Sequence, residues 1–126
     1  MTVWLLAEAV FAMHEEQLEA HGGATGVRDA GLLESALARP QNAAAYADPD
    51  LAELAALYAL GIARNHPFVD GNKRTAWTAL VTFLALNGAA FEPPEVEAAM
   101  AMLETAAGRL SDAEFTVWVR RHAVPG

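Results

Sequence analysis

Two stretches of this chain are apolar around most of a helix circumference: LAELAALYALGIARN, from Leu51 to about Asn65, and the run from Lys73 to Asn87. Helices of that kind are stable only in the middle of a fold. The pair therefore predicts a central helical core. The short join between them is polar, holding His66, Asp70, Asn72, Lys73 and Arg74, with Arg64 just before it. A plain connection between two buried helices needs no such set of side chains. The 126 residues allow one hydrophobic core and not two, so residues 1–126 are read as a single domain.

The remaining segments also read as helices. Alanine, the strongest helix former, makes up about a quarter of the chain. Leu6, Ala9, Val10, Met13 and Leu18 form a stripe at helical spacing that Gly22-Gly23 ends. Asp29 is expected to cap a short helix that Pro40 stops near Ala38. Asp50 with Glu53 reads as a capping box at the head of the first central helix. Asn87-Gly88 closes the second. Pro93-Pro94 opens a helix from Glu95 to about Ala107, closed by Gly108, and Ser111 with Glu114 caps a last helix toward His122. Only GAAFE, residues 88–92, offers a short hairpin arm. The expected fold class is all-α, a compact bundle of six or seven helices with a catalytic loop between the two central ones.

Composition narrows the function classes. With 54% hydrophobic residues the chain is not disordered, and without cysteine it holds no disulfide. Sixteen acidic residues against eight basic give a net charge of −8. That charge repels nucleic acid and anionic membranes at long range, so neither is expected as a direct partner. The opening MTVWLLAEAVFAMHEEQLE has no basic residue ahead of its apolar run, and Glu8 interrupts it. It reads as neither a signal peptide nor a transmembrane span, and a cytoplasmic protein is expected.

The 64–74 segment reverses the overall charge. It carries a net +2 while the rest of the chain carries −10. Gly71 and Asn72 lie where a helix begins, so unpaired backbone N–H groups and the positive end of the helix dipole gather there. Lys73 and Arg74 in that first turn each cost a few tenths to about 1 kcal/mol against the dipole. A bound anion would offset that cost, and a phosphate cradle has this form. Arg74 can grip phosphate oxygens in a fork and Lys73 acts as a point charge. Asp70 adds one carboxylate, which with phosphate oxygens and water suits Mg²⁺. His66 can exchange a proton near neutral pH. Phe68 is expected to plug into the core and anchor the loop. Together these form a kit for phosphoryl or nucleotidyl transfer.

The segment HPFVDGNKR, His66 to Arg74, resembles the signature H-x-F-x-D/E-G-N-x-R of the Fic/Doc superfamily. GGATGVRDAGLLESALARPQ (22–41) and FLALNG (83–88) are similar to its death-on-curing (Doc) branch. A longer Fic form of the motif, with a second glycine and a further arginine, is not met, because Lys73 and Trp77 occupy those positions. These departures are those of the Doc branch. The resemblance implies the toxin of a toxin–antitoxin pair, acting as a protein serine/threonine kinase that uses ATP and Mg²⁺. It implies His66 as base on the target hydroxyl and Asp70 as metal ligand. Gly71 and Asn72 would form the anion hole, and Lys73 and Arg74 would bind phosphate. Implied partners are an antitoxin whose disordered tail folds as a helix in a groove, and elongation factor Tu as target. The inhibitory helix pattern of many relatives, S/T-x-x-x-E-G/N, is absent, which fits a brake supplied in trans.

Arg64 joins the phosphate-binding set on its sign and position, although a cation favoured by the end of its own helix is an equal reading. Two alternatives stay open: AMP transfer of the Fic type, and a catalytically silent binding module. A Walker glycine loop is absent, and HEEQL lacks the second histidine of a zinc helix. His14 and His21 read as surface histidines. Trp4, Trp77 and Trp118 read as core or groove residues rather than a base-stacking platform, with contact to the nucleotide or the site wall as the alternative for Trp77, one turn beyond Arg74. Arg120-Arg121 read as complements to a helix dipole.

Overall fold

The computed structural model describes residues 1–125, so the last residue of the expected domain, Gly126, lies outside it. Six helices and a two-stranded sheet follow one another: α1 (Ala7–His21), α2 (Ala30–Tyr46), α3 (Leu51–Asn65), α4 (Asn72–Leu86), β1 (Ala89–Phe91), α5 (Glu95–Ala106), α6 (Asp112–His122) and β2 (Ala123–Pro125). The two apolar runs are α3 and α4, and they form the core. Helix α3 is wrapped by α2, α4 and α6, while α1 lies on α4. Nine consecutive or near-consecutive residues of α3, from Ala52 to Ile62, are buried, and most of them are alanine or leucine. The small residues let the neighbouring helices come close.

Helix α2 departs from expectation. It does not stop near Ala38 but continues through a fully buried Pro40 to Tyr46. Proline at 40 has no N–H for the carbonyl of Ala36. That carbonyl lies against Gly61 of α3, where an added Cβ would sit 3.0 Å from the Ala36 Cβ and 3.3 Å from its oxygen. Packing of α2 on α3 at this close approach holds the helix together across the proline, which local sequence rules do not weigh.

The GAAFE segment does form a strand, but its partner is the other end of the chain. Ala89–Phe91 pairs antiparallel with Ala123–Pro125. Phe91 is buried there against Trp77 and Trp118. At the opposite end of α4, Trp4 stacks on Phe83, and Asn87 holds both the N–H and the C=O of Val3. Buried Tyr58 accepts the N–H of Leu5, and desolvation raises its phenol above the usual range.

Asp50 caps α3 through the N–H of Glu53 and also receives the guanidinium of Arg120. Arg120, expected to serve its own helix end, thus ties α6 to the start of α3. Ser111 and Glu114 form the full capping box expected of them. Arg120, and then the Glu53 N–H against some desolvation, hold the Asp50 carboxyl below its ordinary 3.8.

A depressed carboxyl stabilises the fold above its unfolded pKa, and that contribution goes as pH falls through the folded pKa. Both partners are about half exposed, so the pair contributes about 0.2–1 kcal/mol. Asp50→Asn keeps a good cap and removes the charge. Its melting temperature should fall below wild type at pH 7, and the gap should close as the pH is taken below 3.8. Gly61→Ala should cost about 1–3 kcal/mol in denaturant unfolding, because the α2–α3 approach has no room for a methyl.

Candidate active site

Helix α3 ends on a strained residue. His66 has φ 49° and ψ 57°, and it is the one non-glycine residue with positive φ among those described. A left-handed non-glycine residue costs on the order of 1–3 kcal/mol and persists only where its surroundings enforce it. Here the enforcement comes from the 22–29 segment. Arg28 donates from Nε to the His66 carbonyl and from Nη2 to the Asn65 carbonyl, both at 2.7 Å. The N–H groups of Arg28 and Asp29 both bind the Pro67 carbonyl, and Val69 N–H binds Gly26. Asn65 in turn donates to the Leu32 carbonyl. The charged fork of Arg28 completes the end of α3 and turns the chain into the loop.

Phe68 anchors the loop as expected, with 1% of its surface exposed. Asn72 clamps its backbone from both sides, accepting the Phe68 N–H at 3.0 Å and donating to the Phe68 carbonyl at 2.9 Å. The Asn72 side chain is thus committed to the loop. What it can offer an anion is its main-chain N–H. The same amide nitrogen lies 3.5 Å from His66 Nδ1, a long contact that guides the ring without fixing its tautomer.

Asp70 is exposed. Its carboxylate accepts the Gly71 N–H at 2.8 Å and the Ala24 N–H at 3.3 Å. Gly23 lets the chain pass close by, since a Cβ there would lie 2.8 Å from Asp70 Oδ2. Gly71, at φ 76°, is the N-cap of α4 and supplies no side-chain cap. The first-turn N–H groups of α4 therefore face outward. Exposed Lys73 and Arg74 flank them, with no carboxylate in ion-pair range among the described residues.

His66, Asp70, Gly71, Asn72, Lys73 and Arg74 line one open hollow. Arg64 borders an adjoining hollow with His66 and Lys73, and its guanidinium is held by Asp112 of α6. This pairing lowers the Asp112 carboxyl. Half-buried Trp77 lines a third hollow beside Lys73 and Arg74 and packs on Phe91 and Trp118. No cluster of three or more metal-ligating side chains occurs among the described residues. Asp70 alone suits an Mg²⁺ ion that arrives already carrying phosphate oxygens.

Sequence reasoning missed two residues that build this site. Arg28 sits 38 positions from the carbonyl it holds, and nothing local marks that reach. His14, read as a surface histidine, is buried beneath the loop with 4% exposure.

The Fic/DOC family model matches residues 4–84, nearly two thirds of the chain, and takes in the 64–74 segment and the 22–29 segment that supports it. The chain belongs to the Fic/DOC family. Two named members are similar to it. Toxin Doc of Mycolicibacterium smegmatis is 54% identical over 71 residues, covering 55% of each chain. Protein kinase doc of Escherichia phage P1 is 38% identical over 91 residues, covering 71% of this chain and 72% of that one. The alignment thus spans little more than half the length of the mycobacterial relative. Helices α5 and α6 lie beyond the region of the family match, yet α6 reaches the site through the Asp112–Arg64 pair.

For this Fic/DOC protein, Asn72→Ala should cost about 1–3 kcal/mol in equilibrium unfolding, because it leaves a buried N–H and C=O of Phe68 unpaired. Amide exchange at residues 66–71 should rise by more than the global loss of stability explains.

Proposed function

We propose that the chain is the toxin of a toxin–antitoxin pair and a Doc-like protein kinase. It moves the γ-phosphate of ATP to a hydroxyl of a translation factor, elongation factor Tu, and so stops protein synthesis in the cytoplasm. The observation that carries this reading is the uncapped N-terminus of α4, flanked by unpaired Lys73 and Arg74 and set beside His66 and Asp70. The names of the two relatives, a toxin and a protein kinase, agree with it.

In this reading His66 accepts the proton of the target hydroxyl as its oxygen bonds to the γ-phosphorus. The bond from that phosphorus to the bridging oxygen breaks, and ADP leaves with the bond's electrons. The main-chain N–H groups at the head of α4, with Lys73 and Arg74, stabilise the charge that gathers on the phosphoryl oxygens. Arg64, its charge already met by Asp112, offers the phosphates its remaining N–H donors at the edge of the hollow. Asp70 would hold Mg²⁺, whose part is to neutralise the polyphosphate. Lys73 stands where the longer Fic motif has glycine, and its bulk and charge favour a nucleotide that presents its outer phosphate to the hydroxyl. The partner in trans is an antitoxin whose disordered tail folds as a helix in a groove of the toxin. Among the described residues no helix is long and apolar enough to cross a membrane.

Bacterial lysate incubated with the protein and with ATP labelled at the α- or the γ-phosphate tests the reading. Label should pass to a protein of the translation machinery from the γ position only. His66→Ala should slow that transfer about 10²- to 10⁴-fold and abolish growth arrest. Label passing from the α-phosphate alone means AMP transfer and overturns the kinase. Growth arrest that survives His66→Ala, with no label from either position, means a silent binding module.

A further inference from the structure

The buried polar groups of the structure include one that the proposed reaction does not use. His14, in the middle of α1, is buried and lies under the loop that joins α3 and α4. Its ring stacks on Phe68 with centroids 3.8 Å apart and planes 8° from parallel. Its Nε2 lies 2.8 Å from the main-chain oxygen of Asp70. A carbonyl oxygen only accepts, so Nε2 carries the proton and donates it. The ring edge also runs beside Gly71, where an added Cβ would lie 3.7 Å from His14 Cδ2.

The oxygen that His14 holds belongs to the peptide between Asp70 and Gly71. A trans peptide is planar, and its C=O and N–H point in opposite directions. With the Asp70 oxygen fixed on His14, the Gly71 N–H must point the other way. It points at the Asp70 carboxylate and binds Oδ1 at 2.8 Å. Nothing in the backbone itself enforces this choice. Gly71 sits at φ 76°, and glycine accepts φ of either sign with little penalty. The peptide is therefore free to turn over through the ψ of Asp70 and the φ of Gly71. Turned over, it would present an oxygen to the carboxylate and expel it, at the head of the helix where the phosphates would lie.

We infer that His14 is a positioning residue: its hydrogen bond locks the Asp70–Gly71 peptide in the one orientation that keeps the Asp70 carboxylate in place beside the α4 N-terminus. The stack on Phe68 sets the ring at the right height, and the donor selects the peptide orientation. As a statement about catalysis this rests on the proposed phosphoryl transfer. As a statement about the loop it stands on the geometry alone.

Two measurements test it, one of them independent of activity. In the unsubstituted protein, NMR should show a scalar coupling across the hydrogen bond from His14 ¹⁵Nε2 to the Asp70 carbonyl carbon. The Gly71 amide should give one sharp, slowly exchanging resonance. His14→Phe keeps a stacking ring and removes the donor. It should broaden or split the Gly71 resonance and speed its exchange, with Phe68 still buried. In label transfer it should lower kcat about 10- to 100-fold with a smaller change in KM for ATP. His14→Gln, which restores a donor without the ring, should recover the Gly71 resonance and most of kcat. Absence of the coupling, or a His14→Phe protein with an unchanged Gly71 amide, overturns the lock. So does a His14→Phe protein that keeps its kcat while His14→Gln loses it, which would mean that the ring matters only as packing. If the unsubstituted protein transfers no label, the proposed function falls, and the Gly71 amide decides the lock by itself.

Discussion

The loop between α3 and α4 depends on the burial of Phe68. Six polar side chains at the junction of two buried helices would otherwise drift with the solvent. A fully buried phenylalanine contributes about 1.5–3 kcal/mol, and it fixes the middle of the loop to the core between α1 and α4. Its backbone must then enter the interior too, and Asn72 satisfies both of its polar groups. The loop thus has an apolar pin and a polar clamp four residues apart. His66 precedes the pin and Asp70 follows it, so the two chemical groups emerge on either side of one fixed point. The same device recurs at the far end of α4, where Asn87 takes both polar groups of Val3. Helix α4 is held at each end by an asparagine that acts as a substitute strand.

A pinned loop still has to leave α3, and it does so through strain. The left-handed His66 ends the helix abruptly and turns the chain toward Pro67. Hydrogen bonds to a charged group are worth about 1.5–3 kcal/mol, and Arg28 makes two of them to the carbonyls at this turn. That is of the same order as the strain. The conformation of His66 is therefore set by a residue on another segment, and it is stable only while the 22–29 segment lies in place. The same segment gives Asp70 its Ala24 N–H. Loop and segment are best regarded as one piece, joined through the Val27–Phe68 bridge.

The legible parts of the sequence were those whose cause is local. The cap residues Asp29, Asp50 and Ser111 each stand at a helix start as read. The apolar circumference of 51–65 and 73–87 located the core, and the polar join stands between them as the loop from α3 to α4. The misreadings share a different cause. Pro40 reads as a stop because a proline costs its own helix a hydrogen bond, but the Ala36–Gly61 contact with α3 outweighs that cost. GAAFE carried a strand signal with no hint that its partner lay more than thirty residues on. His14 occupies a helix otherwise rich in glutamate, so its burial follows from where α1 lies on α4 and not from its neighbours. Local rules give Arg120 to its own helix dipole, whereas its partner Asp50 stands 70 positions away in sequence and 2.6 Å off in space. Arg64 carries two equal local readings, phosphate binder or helix-end cation, and neither points to its partner Asp112. In each case a long-range contact decided what a local rule had left open.

These long-range contacts also explain why an acidic chain can keep a positive site. Of its eight basic residues, Arg109 and Arg120 are neutralised by Glu104 and Asp50, and Arg64 by Asp112. Lys73 and Arg74 are left without a carboxylate, and they stand at the positive end of α4. The acidic residues nearest in sequence do not reach them, because Asp70 is turned toward the Gly71 and Ala24 N–H groups. Had Asp70 instead paired with Arg74, the hollow would be neutral and the helix end would be capped by the chain itself. The loop geometry that diverts Asp70 is therefore what leaves Lys73, Arg74 and the head of α4 without a carboxylate partner. Phe68, Asn72 and Arg28 act on chemistry they do not touch, by deciding where one carboxylate points.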